Sequence, residues 1–207
     1  GRWTFTYHPW GPLPRGEVTL AQCLSKAGYI TKAVVDTPFF VREGYGYDRG
    51  FLDFEWVRGQ EIFEINKRME YSDFPKRYET DHFAPRTMLA AERWLELNYD
   101  QHEKFFLYVD TWDPHEDWNP PKYYTELYHP DFEEKLAEMT AEKKRMLFYY
   151  PPYDFWRESG LTEEDLKIAH AAYCGEITMV DRWVGHLVDG IENMGLMDDT
   201  AIVFTSD

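Results

Sequence analysis

Apolar positions recur along the chain either with a period near 3.6 or in short continuous runs, and the two patterns predict helices and strands respectively. In EVTLAQCLSKAGY, 17–29, Leu20, Cys23 and Leu24 share a helical face, with Thr19 as the capping residue and Gly28 as the stop. TKAVVD, 31–36, reads as a short strand ending in Asp36. Helical spacing returns over APRTMLAAERWLELNY, 84–99, with Pro85 in the first turn. Phe105–Val109 is continuously apolar, as expected of a strand covered on both faces. It empties into DPHEDWNPP, 113–121, whose prolines stop both strand and helix. Over 162–194 a stripe of Ile168, Ala172, Ile177, Val180, Val184, Leu187 and Ile191 predicts one long helix, started at Thr162 and ended at Gly195. TAIVFTSD, 200–207, is expected to be a last strand. Residues 37–80 and 122–160 mix aromatics, glycine or proline and charge, and are expected to be excursions, the second carrying short helices.

Helices alternating with strands predict an α/β fold, a mostly parallel sheet flanked by helices. Such sheets bind ligands off the carboxyl ends of their strands. Acids fall at those ends: Asp36, Asp110 with Asp113, and Asp207, with His115 just beyond the second.

Composition narrows the function classes. The 207 residues carry 38 Asp and Glu against 22 Lys and Arg, a formal charge of −16, so no basic stripe exists for nucleic acid. An anionic substrate then needs a local cation, from a side chain or a bound metal. No apolar run reaches the roughly 18–20 residues that span a membrane. Cys23 and Cys174 have no metal-like spacing and read as two buried thiols. Oligomeric state and compartment are not legible.

Four blocks carry a family resemblance. YCGEITMVDRWVGHLVDGIENMGLMDDTAIVFTSD, FFLYVDTWDPHEDWNPPKYY, TLAQCLSKAGYITKAVVDTP and GYDRGFLDFEWVRGQE resemble, in order and spacing, blocks of the formylglycine-dependent sulfatases of the alkaline phosphatase superfamily. The resemblance implies an alkaline phosphatase-like fold and makes 1–207 the central part of a sulfatase catalytic domain, with 37–80 and 122–160 over the active-site face. It also implies that Gly1-Arg2 ends a Thr-Gly-Arg motif and that Asp207 begins Asp-His-Gly. The fold is then incomplete at both ends. The Cys-or-Ser-x-Pro-x-Arg nucleophile motif, whose first residue becomes formylglycine, is absent from these residues.

Site residues follow from the same resemblance. His115 is the histidine that donates toward the leaving oxygen, against the alternative of a turn-held structural histidine. Asp207 is a Ca2+ (or Mg2+) ligand, chemistry suited to a hard cation. Asp36 stands where many sulfatases have a sulfate-binding Lys, and Pro38 and Phe39 lie where a catalytic His is common, so this chain departs from the pattern there. Asp36 is either a site residue or a strand-end residue. Asp113 is a substrate-binding candidate or a turn cap. Arg49 and Arg58 are candidates for an anionic sugar, or anchors of their own loops. The expected function is hydrolysis of a sulfuric ester, the partner being a sulfated small molecule or glycan. The isolated 207 residues are expected to be inactive. The alternatives are a phosphoesterase or phosphonate hydrolase of the same superfamily, and a non-catalytic scaffold that binds sulfated glycans.

Overall fold

Three parallel strands in the order β2-β1-β3 form the sheet in the computed structural model, which describes residues 12–37, 44–58, 76, 78–115, 117–149 and 160–206. The described residues fall into two compact units. The first is drawn from Gly1–Phe74, Thr87–Thr111 and Asp189–Asp207, the second from Pro75–Arg86 and Trp112–Val188.

The first unit holds the sheet. Helix α1, Leu20–Lys26, starts where Thr19 and Gln22 cap each other's backbone amides. Its buried residue is Ala21, while Leu20 and Cys23 are exposed, so the expected apolar face is turned and Cys23 is not a buried thiol. Cys174 is half-buried, and both thiols are free. Strand β1, Ile30–Val35, is the central strand, and Thr31, Lys32, Ala33, Val34 and Val35 are all buried. β3, Phe105–Asp110, pairs with β1 from Ile30↔Phe105 to Val35↔Asp110.

Strand β2, Asp53–Trp56, lies inside the stretch that the sequence pattern left irregular. It pairs with β1 in the register Lys32↔Asp53. The reason is electrostatic. Lys32 is 3% exposed, and its Nζ donates to Asp53 Oδ2 at 2.8 Å and Glu55 Oε2 at 2.9 Å. Two acids two residues apart share one face of a strand, so only this register gives a buried ammonium both of them. The chain reaches β2 through Gly50, whose φ is +94°, and a Cβ there would lie 2.2 Å from the Gln22 amide nitrogen.

Helix α2, Phe83–Asn98, is close to its expected bounds. The second unit carries α3, Lys122–Thr125, α4, Phe132–Glu138, α5, Ala141–Tyr149, and most of α6, Glu163–Asn193. Its core joins Phe132, Leu147, Ile168, Ala169, Ala171 and Ala172. Thr162 and Asp165 cap α6 reciprocally, and Lys143 bonds Asp165 at 2.8 Å. Gly195 follows α6 with φ +71°.

The expected last strand is corrected. Residues 200–206 form no strand and pair with none among the described residues. Val203 and Phe204 are 84% and 79% exposed. β-propensity needs a neighbouring strand to supply hydrogen-bond partners, and none is described beside this segment.

The double substitution Asp53→Asn with Glu55→Gln strands the Lys32 ammonium and is expected to lower stability by about 2–4 kcal/mol. Lys32→Met, which removes the buried charge itself, is expected to cost less than about 1 kcal/mol. Urea unfolding of the full-length protein measures both, and the reverse ranking excludes the electrostatic account of the register.

Candidate functional site

At the carboxyl ends of β1 and β3 the acids are already occupied by hydroxyl groups. Asp36 is fully buried, its Oδ2 accepts from Thr87 Oγ1 at 2.7 Å, and its amide donates to the Asp110 carbonyl at 3.1 Å. Asp110 accepts from the Thr37 hydroxyl and from Tyr108 Oη, the latter at 2.6 Å. This pattern closes the end of the sheet and matches the strand-end alternative for Asp36. Pro38 and Phe39 lie outside the described residues.

Arg49 is a fork over backbone carbonyls. Its Nε donates to the Gly46 carbonyl at 3.0 Å, Nη1 to Arg15 at 3.2 Å and Nη2 to Pro14 at 3.0 Å. Three fixed acceptors tie the loop before β2 to the segment before α1, the geometry of an anchor. Arg58 places its guanidinium 5.0 Å from the centre of the Trp56 ring.

In the second unit, Asp113 and His115 stand together on the loop that follows β3. The His115 amide donates to the Trp112 carbonyl at 2.9 Å, and its exposed imidazole lies 4.0 Å from the Trp112 ring centre. Trp118 Nε1 donates to the Pro114 carbonyl at 2.9 Å and closes the turn. Asp113 Oδ2 accepts the Ala84 amide at 3.2 Å, an amide of the first turn of α2 that has no partner within its helix. Burial pushes the Asp113 carboxyl above its usual range, against Lys76, the Ala84 amide and His115, which pull it down.

Three further groups sit near this loop that the sequence reading did not single out. Lys76 Nζ donates to Asn119 Oδ1. His82 is 3% exposed, its Nδ1 has no hydrogen-bond partner among the described residues, and burial, reinforced by Lys76, lowers its pKa to about 4. Glu176, on α6, is 2% exposed, and burial followed by the charge of Asp113 raises its pKa well above the ordinary value. The available signal was positional. Ile168, Ala172, Glu176 and Met179 are all buried at spacings of four, four and three, whereas Ile177 of the expected stripe is 39% exposed.

Glu79 gathers the other donors of this unit. It accepts from Tyr123, from Tyr124 Oη and Trp183 Nε1 at 2.7 Å each, and from Arg182 Nη1 at 3.3 Å. Arg182 thus ties α6 to the segment that carries Glu79. Partial burial pushes the Glu79 carboxyl up, but the three hydrogen bonds and the Arg182 charge outweigh it and hold the pKa low.

Among the described residues no three His, Cys, Asp or Glu side chains gather in a way that could hold a metal ion. Asp207 lies outside the described residues, and one carboxylate falls well short of the six to eight oxygens that Ca2+ takes. No helix among the described residues is long and apolar enough to cross a membrane.

Comparison with known proteins gives a consistent set of relatives. A family model described as Sulfatase matches residues 3–207. The chain is 26% identical over 179 residues to a choline-sulfatase of Rhizobium meliloti (strain 1021), covering 83% of this chain and 33% of that protein. It is 31% identical over 114 residues to an arylsulfatase of Clostridium perfringens (strain 13 / Type A), covering 52% and 22%. The chain therefore spans a third or less of the curated relatives it matches. Among solved structures it resembles a phosphonate monoester hydrolase of Agrobacterium radiobacter, with a TM-score of 0.61 at 18% identity, covering 91% of this chain and 46% of that one. A phosphonate monoester hydrolase from Silicibacter pomeroyi gives a TM-score of 0.58 at 18% identity, with 93% and 47% covered. At these identities the structures speak for the fold.

Glu79→Gln is expected to cost about 1–2 kcal/mol at neutral pH, where the carboxylate holds charge-assisted hydrogen bonds. A depressed pKa contributes stability above the ordinary carboxylate range and loses it as pH falls through the folded-state value. The gap between wild type and variant is therefore expected to close on acidification, as measured by thermal unfolding across pH. A gap independent of pH rules out an ionised Glu79 as the hub.

Proposed function

The chain belongs to the sulfatase family, and from that premise we propose that the protein hydrolyses a sulfate ester, with a sulfated carbohydrate as the substrate. Its fold is alkaline phosphatase-like, a parallel sheet flanked by helices. The observation that carries the reading is the family match across 3–207, together with an exposed histidine on the Asp-Pro-His loop that follows β3. Two relatives named as sulfatases support it.

In this reading His115 is the group that donates a proton or hydrogen bond to the ester oxygen as the S–O bond breaks. The Trp112 contacts fix its backbone and ring plane, so little freedom is lost when substrate arrives. Asp113 ties that loop to the start of α2 through the Ala84 amide. Its role is to set where His115 stands, and a contact with substrate is the alternative. The burial of Asp36 and the three carbonyl partners of Arg49 favour structural roles for both. Arg58, held by Trp56, is the cation kept as a candidate for an anionic sugar. A Ca2+ or Mg2+ ion at Asp207 and a formylglycine nucleophile belong to the same proposal and involve residues outside those described. The 207 residues contain no Cys-or-Ser-x-Pro-x-Arg motif, and as an isolated chain they are proposed to be inactive.

Kinetics of the full-length protein on an aryl sulfate, a sulfated sugar and a phosphonate monoester test the reading. The expected order places a sulfate ester first in kcat/KM, with His115→Asn lowering kcat by about 10²-fold. A phosphonate monoester in first place overturns it in favour of the phosphonate hydrolase alternative. Binding of sulfated glycan without turnover overturns it in favour of the scaffold.

A further inference from the structure

Glu176 is a buried acid that the proposed chemistry does not use. It is 2% exposed, and its Oε2 is buried with no hydrogen-bond partner among the described residues. The Asn119 backbone, on the loop that carries His115, lies beside its carboxyl. The neighbouring Gly175 brings α6 against the same stretch. A Cβ there would lie 3.0 Å from Pro120 Cγ and 3.2 Å from the Thr125 amide nitrogen. The charged groups that act on Glu176 are Asp113, Lys76 and Asp117. Two of these three are acids, and the single lysine also bonds Asn119.

An ionised carboxylate with a buried, unpartnered oxygen and acids nearby is costly, whereas the neutral acid is better tolerated. We propose that Glu176 is a positioning residue for His115, its buried side chain seating the 113–121 loop on α6 where Gly175 meets Pro120. Ionisation puts a second negative charge beside Asp113, and the loop loosens as Glu176 seeks water. The direction of the Glu176 shift agrees. For an acid whose pKa is raised by folding, stability falls as pH climbs from the ordinary carboxylate range to the folded-state value, because only the unfolded state has released its proton.

The catalytic part of this inference rests on the sulfate-ester reading, so the test pairs turnover with a readout that does not depend on it. Amide hydrogen exchange of 113–121, corrected for intrinsic rates, is followed against pH in the full-length protein beside kcat and KM on an aryl sulfate. Variants are Glu176→Gln, which mimics the protonated acid, and Glu176→Leu, which keeps bulk but offers no acceptor. In wild type, exchange is expected to rise and kcat to fall as pH climbs through the folded-state value of Glu176, with both flatter in Glu176→Gln. Glu176→Leu is expected to speed exchange at all pH values and to lower kcat about tenfold, with KM changed less than about threefold. Identical pH profiles for wild type and Glu176→Gln, or unchanged exchange in Glu176→Leu, overturn the proposal. Exchange that follows Glu176 while no sulfate ester is turned over supports the loop restraint and overturns the sulfatase reading instead.

Discussion

The buried ammonium of Lys32 is the constraint on which the sheet depends. A lysine buried in the middle of a central strand is costly unless it is paired, and here carboxylates meet it where it stands. Asp53 and Glu55 meet it from β2, and that pairing fixes the β2 register. Once β1 is flanked on both sides, its carboxyl end lies beside that of β3, and Asp36 and Asp110 become neighbours. The polar groups at this end are then satisfied by Thr87, Thr37 and Tyr108. Asp113 and His115 stand further along the chain, on the loop that follows β3.

That loop follows a different rule. Asp113 is held by a helix amide and shifted by burial; His115 is exposed and held through its backbone. An acid of raised pKa thus stands two residues from an exposed imidazole, and its hydrogen bond to the Ala84 amide ties the loop to α2. Both sit on an α/β scaffold of the sulfatase family, and two relatives of this chain are named as sulfatases.

Much of this was legible in the chain. β1, β3, α2 and α6 lie within a residue or two of where periodicity put them, because long periodic stretches and continuous apolar runs are decided by burial. β2 was hidden because four residues alternating acid and aromatic, set among glycines, look like a surface loop until the lysine that needs those acids is placed beside them. TAIVFTS misled for the opposite reason: its propensity is for strand, but a strand exists only in company. In the candidate site, His115 and Asp113 could be nominated from motif likeness, and the alternatives for Asp36 and Arg49 could be stated but not decided without their partners. Glu176 and His82 were missed because a charged or polar letter in an apolar stripe gives no warning of whether it faces inward.

The exposure of Val203 and Phe204 has a practical consequence for anyone handling this stretch of polypeptide. Two large apolar side chains in water, on a β-prone segment with open backbone amides and carbonyls, make an adhesive flank. Pairing between copies along that flank is the expected consequence when the polypeptide is concentrated.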